Sequence, residues 1–197
     1  MEPDIRDETY AERARLAALM EQFGPEEWGS SSLCAGWRVR EVVAHVTMPF
    51  RTAPLQFVVG MARAPFSFGR YADRVARADT TAMSDDELLA QLQANLRHPW
   101  QPPGGGVAGA LSHDVIHGLD ITEPLGLPAP PAERIALVLR SATPRSIAYF
   151  GADLRGTRLV ATDADVSVGD GDLLRMPAKD ILLVVTGRRP LVTDAAR

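Results

Sequence analysis

Cysteine is almost missing from this chain: Cys34 is alone. One thiol closes no internal disulfide and builds no thiolate metal cluster, so any metal must be held by imidazole and carboxylate. Long apolar runs are missing as well, and stretches such as "ILLVVTG" near the end fall well short of the roughly 20 residues that span a bilayer. No run of Lys or Arg is long enough to track phosphates, and the net charge is −4, which argues against nucleic acid as a partner. The amino terminus, "MEPDIRDETY", is polar and acidic where a signal peptide is basic and then apolar. These absences together predict a soluble, cytoplasmic protein with neither membrane nor nucleic-acid partners.

What is present suits a packed fold. With 197 residues, 46% hydrophobic and 23% charged, the chain can bury a core as one domain with a small appendix. Arg6 to Phe23 repeats apolar residues at Leu16, Leu19, Met20 and Phe23, one face of a helix, with Gly24 as its carboxyl cap and Pro25 behind it. A second helix carries Val39, Val42, Val43 and Val46 on one stripe and His45 at the stripe's edge, about 110° from its centre at roughly 100° per residue. After Pro49, "PLQFVVGMA" reads as helical and the following segment as a loop rich in Arg, Ala and Phe. "SDDE" from Ser84 is a capping box that opens a helix with Leu88, Leu89, Leu92 and Leu96 on its buried face, ended by Pro99.

Beyond the "PWQPPGGG" connection, a helix is expected from about Val107 to Glu123, stopped by Pro124 and Gly126. Another runs from Ala132 to about Phe150, kinked or divided at Pro144. From Gly151 the texture changes to short β-type runs, "RLVATD" and "VSVGDG", and a last helix in "PAKDILLVVTGR". "GDGD" lacks the spaced ligands of a calcium loop and reads as a hairpin turn. The expected architecture is mainly α: a helical bundle over residues 1–128, then a linker helix and a small α/β segment over 129–197, too small to fold alone and so docked on the helices.

"LSHDVIHGLD" places His113 and His117 four residues apart, so both imidazoles leave the same helix face about one turn apart and can converge on one ion. A third ligand must come from another helix. His45 fits that part, whereas His98 lies at a helix end beside Pro99. Three imidazoles with an open position suit catalytic zinc, which lowers the pKa of a bound water or thiol; nickel, iron and manganese accept the same donors. Three rival readings stand beside this one. The pair can be two ordinary surface histidines; "HDVIH" has the frame of the zincin HExxH with Asp114 as general base of a hydrolase; and His45, His113, Asp114 and Asp180 can be arranged as in phosphohydrolases with a His-Asp doublet.

The stretch "EEWGSSSLCAGWRVREVVAHV" resembles the metal-binding amino-terminal segment of the mycothiol-dependent maleylpyruvate isomerase family, a branch of the DinB-like metalloenzymes, through Trp28, Ser32, Leu33, Cys34, Gly36, Trp37 and His45. His113, His117, Gly118 and Asp120 match the second half of the signature, and the closing "VSVGDGDLLRMPAKDILLVVTGR" is similar to the family's last segment. His113 stands where the isomerases commonly carry Glu, a change that keeps metal binding and loosens the tie to the isomerase reaction. The carboxy-terminal segment is shorter than is usual in the family. The resemblance covers most of residues 10–190. It implies a DinB-like four-helix bundle, a divalent metal held by three side chains, and mycothiol or a related low-molecular-weight thiol as cosubstrate for isomerisation of, or transfer to, a small electrophile.

The remaining residues take supporting parts. Asp120 is expected to back an imidazole from behind or to anchor an Arg; Asp114, about 100° from His113 around the helix, is expected in a structural or solvent role, with general base as the minor alternative. Arg188 is a candidate for holding a substrate carboxylate by a bidentate pair. Trp28 and Trp37 are expected as buried packing and Cys34 as a small buried residue. A non-catalytic metal- or ligand-binding protein is the alternative function, and a homodimer through bundle faces is compatible with the fold.

Overall fold

Caps and chain breakers set the helix boundaries of the first 128 residues. The computed structural model describes residues 4–64 and 67–192, and the chain divides into two compact units, Met1–Pro128 and Ala129–Arg197. In the first, α1 (Ile5–Met20) starts at Asp4, whose carboxylate accepts from the Arg6 amide at 2.8 Å, and ends at Glu21. Gly24 is not its carboxyl cap, as expected, but opens the short α2 (Pro25–Gly29), where Glu27 accepts from the Gly24 amide at 2.8 Å. Proline at the first position of α2 presets its dihedral, and that favours a new start over a prolonged end.

The valines at 39, 42, 43 and 46 are all buried on α3 (Val39–Arg51). This helix runs through Pro49, which removes the amide that would bond the His45 carbonyl. Its last turn is held by Arg51, which donates to the Ala44 carbonyl and the Thr47 hydroxyl, each at 3.0 Å. After α4 (Pro54–Ala62) comes a helix where a loop was expected: α5 (Phe68–Ala82), buried through Tyr71, Ala72 and Ala76. Ser84 and Glu87 form the expected capping box of α6 (Asp85–Ala94), the Ser84 amide donating to Glu87 at 2.7 Å. Leu88 and Leu92 are its fully buried residues, and it stops at Asn95, short of Pro99. The helix of the paired histidines, α7, spans Gly106–Thr122.

Helices α1, α7, α3 and α6 each pack on the next in a closed ring, and α5 adds to α3. Leu16, Met20, Trp28, Val42, Val46, Leu88, Leu92 and Ile121 meet in its core, each large apolar side chain contributing about 1.5–3 kcal/mol on full burial. α7 approaches α1 closely at Gly118, where a Cβ would lie 3.0 Å from Glu12 Oε1 and 3.2 Å from Leu16 Cδ2. Glycine in the family signature therefore marks where α7 meets α1.

In the second unit Pro144 divides the expected long helix into α8 (Ala132–Arg140) and α9 (Pro144–Tyr149), the latter capped by Thr143 Oγ1, which accepts from the Ser146 amide at 3.1 Å. Three strands follow, β1 (Thr157–Ala161), β2 (Ser167–Gly169) and β3 (Asp172–Met176), in the order β2-β1-β3. β2 is antiparallel and β3 parallel to β1. "GDGD" is therefore not a hairpin turn: it carries the chain from one edge past the start of β1 to the other. Gly171, at φ 113°, passes so close that a Cβ would lie 2.4 Å from the Gly156 carbonyl oxygen. Last comes α10 (Ala178–Val185), closed by Gly187 at φ 70°, with Gly187 and Arg188 amides turned back to Val184 and Leu183. α8 and α10 pack on each other and on the sheet. The architecture is the mainly helical one expected, a four-helix bundle followed by a small α/β segment. Among the described residues no helix is long and apolar enough to cross a membrane.

Candidate metal centre

Two adjacent helices of the ring, α3 and α7, bring the three histidines together. One ring nitrogen from each of His45, His113 and His117 lies within 4.8 Å of the others. His113 Nε2 and His45 Nε2 are 3.3 Å apart, and the His117 ring centroid is 4.7 Å from that of His45 and 4.8 Å from that of His113. Two zinc–nitrogen bonds of about 2.0–2.1 Å at a tetrahedral angle place their nitrogens roughly 3.3–3.4 Å apart. The separation of this pair matches that of two ligands on one ion.

Each α7 histidine is backed by a carboxylate. His113 Nδ1 is 2.8 Å from Asp114 Oδ1, and His117 Nδ1 is 2.9 Å from Asp120 Oδ2. A carboxylate only accepts, so each of these imidazoles carries a proton on Nδ1 and leaves Nε2 as the nitrogen that can face a cation. His45 is 4% exposed. Burial first, then the neighbouring His117 and His113, hold its pKa well below the usual 6.5, against a smaller opposing pull from Asp120. Among the described residues its Nδ1 has no hydrogen-bond partner. A divalent cation takes the unprotonated nitrogen of each ring, and the low pKa of His45 favours that form there.

The segment ahead of α3 is fastened to the same helix. The Trp37 amide donates to the Cys34 carbonyl at 3.0 Å across a turn in which Gly36 takes φ 77°, a backbone shape that favours glycine. The Ser32 hydroxyl accepts from the Cys34 amide at 3.1 Å and donates to the Trp37 carbonyl at 2.9 Å. The Leu33 amide donates to the Asp120 carbonyl at 3.0 Å, and the Cys34 thiol to Asp120 Oδ2, also at 3.0 Å. Cys34 is thus half-buried beside the cluster, packed against the edge of the core and not fully buried as expected. Its sulfur, His117 Nδ1 and Asp120 form a second group of potential ligands. Separations of 2.9 and 3.0 Å are those of hydrogen bonds, shorter than the roughly 3.4–3.6 Å between ligands around one tetrahedral ion.

Asp114 is 1% exposed, which removes the solvent role expected of it. Its Oδ1 goes to His113 and its Oδ2 accepts from Arg13 Nε at 2.7 Å. Neither oxygen is left for a general base, nor for a metal as the His-Asp doublet would need. Asp180 pairs with Arg189 on the second unit. Arg13, on α1, was not singled out from the sequence, and nothing local marks it: its partner is 101 positions away. Aromatic neighbours were also missed. Trp37 is only partly buried, with its ring 5.3 Å from His45 and its indole N–H donating to Asp73 at 2.8 Å, whereas Trp28 is core as expected. Phe68 lies 6.1 Å from His45 and Trp100 5.1 Å from His113, centroid to centroid. His98 stays outside the cluster: its carbonyl accepts from Arg13, and its ring stacks near Phe50. Arg188 belongs to the second unit, where its guanidinium covers the Phe150 ring and donates to the Thr186 carbonyl at 2.8 Å.

Comparison with known proteins gives the family and the fold. A family model described as the mycothiol maleylpyruvate isomerase N-terminal domain matches residues 10–178. Among solved structures, a mycothiol-dependent maleylpyruvate isomerase crystallised as a histidine-to-alanine mutant superposes with a TM-score of 0.57 at 14% identity, covering 94% of this chain and 88% of that one. No curated protein matches significantly.

Proposed function

The chain belongs to the mycothiol maleylpyruvate isomerase N-terminal domain family, and from this we propose that it is a divalent-metal-dependent enzyme. It uses mycothiol or a related low-molecular-weight thiol to isomerise, or to transfer the thiol to, a small electrophile. His45, His113 and His117 hold the metal, zinc before nickel, iron or manganese. The observation that carries the proposal is the convergence of three imidazoles, two of them fixed by buried carboxylates. Where a histidine pair lies free on a helix surface, no such backing is expected.

When bound with an open position, a divalent cation lowers the pKa of a thiol and so supplies a thiolate near neutral pH. The chain's own residues do the rest. Asp114 and Asp120 keep the Nδ1 protons away from the cluster, and burial keeps a third proton off His45. Trp37 and Trp100 border the histidines and narrow the access of water. A hydrolase with Asp114 as base finds no support, because both carboxylate oxygens are engaged.

The test is metal analysis of protein purified without a histidine tag, alongside His45→Ala and His117→Ala, followed by incubation of the loaded protein with mycothiol, bacillithiol or glutathione and an electrophilic acceptor. Metal should be lost in both variants and free thiol consumed by the wild type. Equal metal content in all three proteins would overturn the ligand set; metal without turnover of any pair would favour a binding protein instead.

A further inference from the structure

Arg13 is a fully buried cation with an unusual set of partners. Its side chain is 0% exposed and that of Asp114 1%. Nε donates to Asp114 Oδ2 at 2.7 Å, Nη1 donates to the His98 carbonyl at 2.7 Å, and the guanidinium carbon lies 5.1 Å from the centre of the Phe50 ring. Nη2 has no partner among the described residues. A buried ion pair is weak evidence for stability, because desolvating both charges offsets their attraction and an apolar pair of similar volume does as well or better. Here even the hydrogen bonding is incomplete. Fold stability alone gives no reason for the pair.

Asp114 supplies one. The last torsion of an aspartate is broad and roughly two-fold, so a carboxylate held by a single bond can rotate. Asp114 is held at both oxygens, by Arg13 on one side and by His113 Nδ1 on the other, and it points Oδ1 at His113 only while Oδ2 is anchored. A line of contacts thus runs from α1 through Asp114 to a ring whose Nε2 is 3.3 Å from His45 Nε2. His117 has its own carboxylate in Asp120.

We propose that Arg13 is a positioning residue of the metal centre, holding Asp114 so that Asp114 fixes the orientation and the tautomer of His113. The inference rests on the metal-centre reading above. It assigns to α1 a part in a site whose ligands come from α3 and α7.

The experiment compares wild type, Arg13→Met, Arg13→Lys and, as a core-destabilised control that touches no histidine, Leu88→Ala. Two readouts are taken: the tautomer of His113 in metal-free protein, from long-range proton–nitrogen correlation of the imidazoles, and zinc affinity by competition with a chelator. Wild type should show His113 protonated at Nδ1. Arg13→Met should show a mixed tautomer and a roughly tenfold or greater loss of zinc affinity, in the range of support residues behind metal ligands. Arg13→Lys keeps the charge without the planar fork and should fall in between; Leu88→Ala should lose stability and leave both readouts unchanged. The proposal is overturned if both readouts in a folded Arg13→Met protein equal the wild type, or if Leu88→Ala moves them as far. Should Arg13→Met fail to fold, wild-type readouts in Arg13→Lys overturn it. If wild-type protein binds no zinc, the metal reading fails, while the tautomer in metal-free protein still decides the role of Arg13.

Discussion

His117 Nδ1 and Asp120 Oδ2 lie 2.9 Å apart on one turn of α7, and the same oxygen accepts from the Cys34 thiol. One carboxylate atom therefore backs a proposed ligand and fastens the segment ahead of α3. Asp120→Asn keeps the size and removes the charge, and the amide can turn a donor toward His117. Zinc affinity should fall about 10–100-fold, measured by chelator competition. Cys34→Ala leaves the carboxylate in place and should lose less; an Asp120→Asn protein with wild-type affinity would remove Asp120 from the site.

The burial of His45 predicts how the metal-free fold responds to pH. Its folded-state pKa is depressed, chiefly by desolvation and then by the other two histidines, so the unfolded chain binds a proton that the folded one resists. Stability from this residue is present above the ordinary pKa of 6.5 and is lost as pH falls below it. Urea unfolding of metal-free protein between about pH 7 and pH 5 should show declining stability. His45→Gln should flatten that decline even if it lowers stability at pH 7, and an identical slope in the variant would assign the acid sensitivity elsewhere.

At Gly118 two effects oppose each other. Alanine in a helix interior gains about 1 kcal/mol over glycine, but the new methyl would meet Glu12 Oε1 at 3.0 Å and Leu16 at 3.2 Å, and overpacking costs about 1–3 kcal/mol. Glu12 is fully buried and held by Arg15 at 2.6 Å, so it has little room to yield. Gly118→Ala should therefore be net destabilising, by up to about 2 kcal/mol in denaturant unfolding. A gain in stability would show that α1 moves more easily than this packing implies.

How far the sequence could be read depended on whether a signal was local. The valine stripe of α3, the Ser84 capping box and the proline-bounded α7 are written in consecutive residues, and all three helices stand where spacing puts them. The meeting of His45 with His113 and His117 was legible because two lie one turn apart and the third sits at a stripe edge. α5 was not legible: its buried face is Tyr71, Ala72 and Ala76, small residues among arginines and aspartates that leave little periodic contrast. "GDGD" misled because turn residues indicate a change of direction without naming the strand that receives the chain. The ion pair of Arg13 with Asp114 joins positions 101 apart, and no spacing rule reaches that distance.

His45 and His113 come from segments 68 residues apart, so a cation shared by them, as proposed, would work as a removable crosslink. Its grip on the fold depends on supply: a ligand that binds only the folded state adds about 2.7 kcal/mol when present at 100 times its dissociation constant, and almost nothing when scarce. The lifetime of the folded chain then becomes a readout of how much free metal surrounds it.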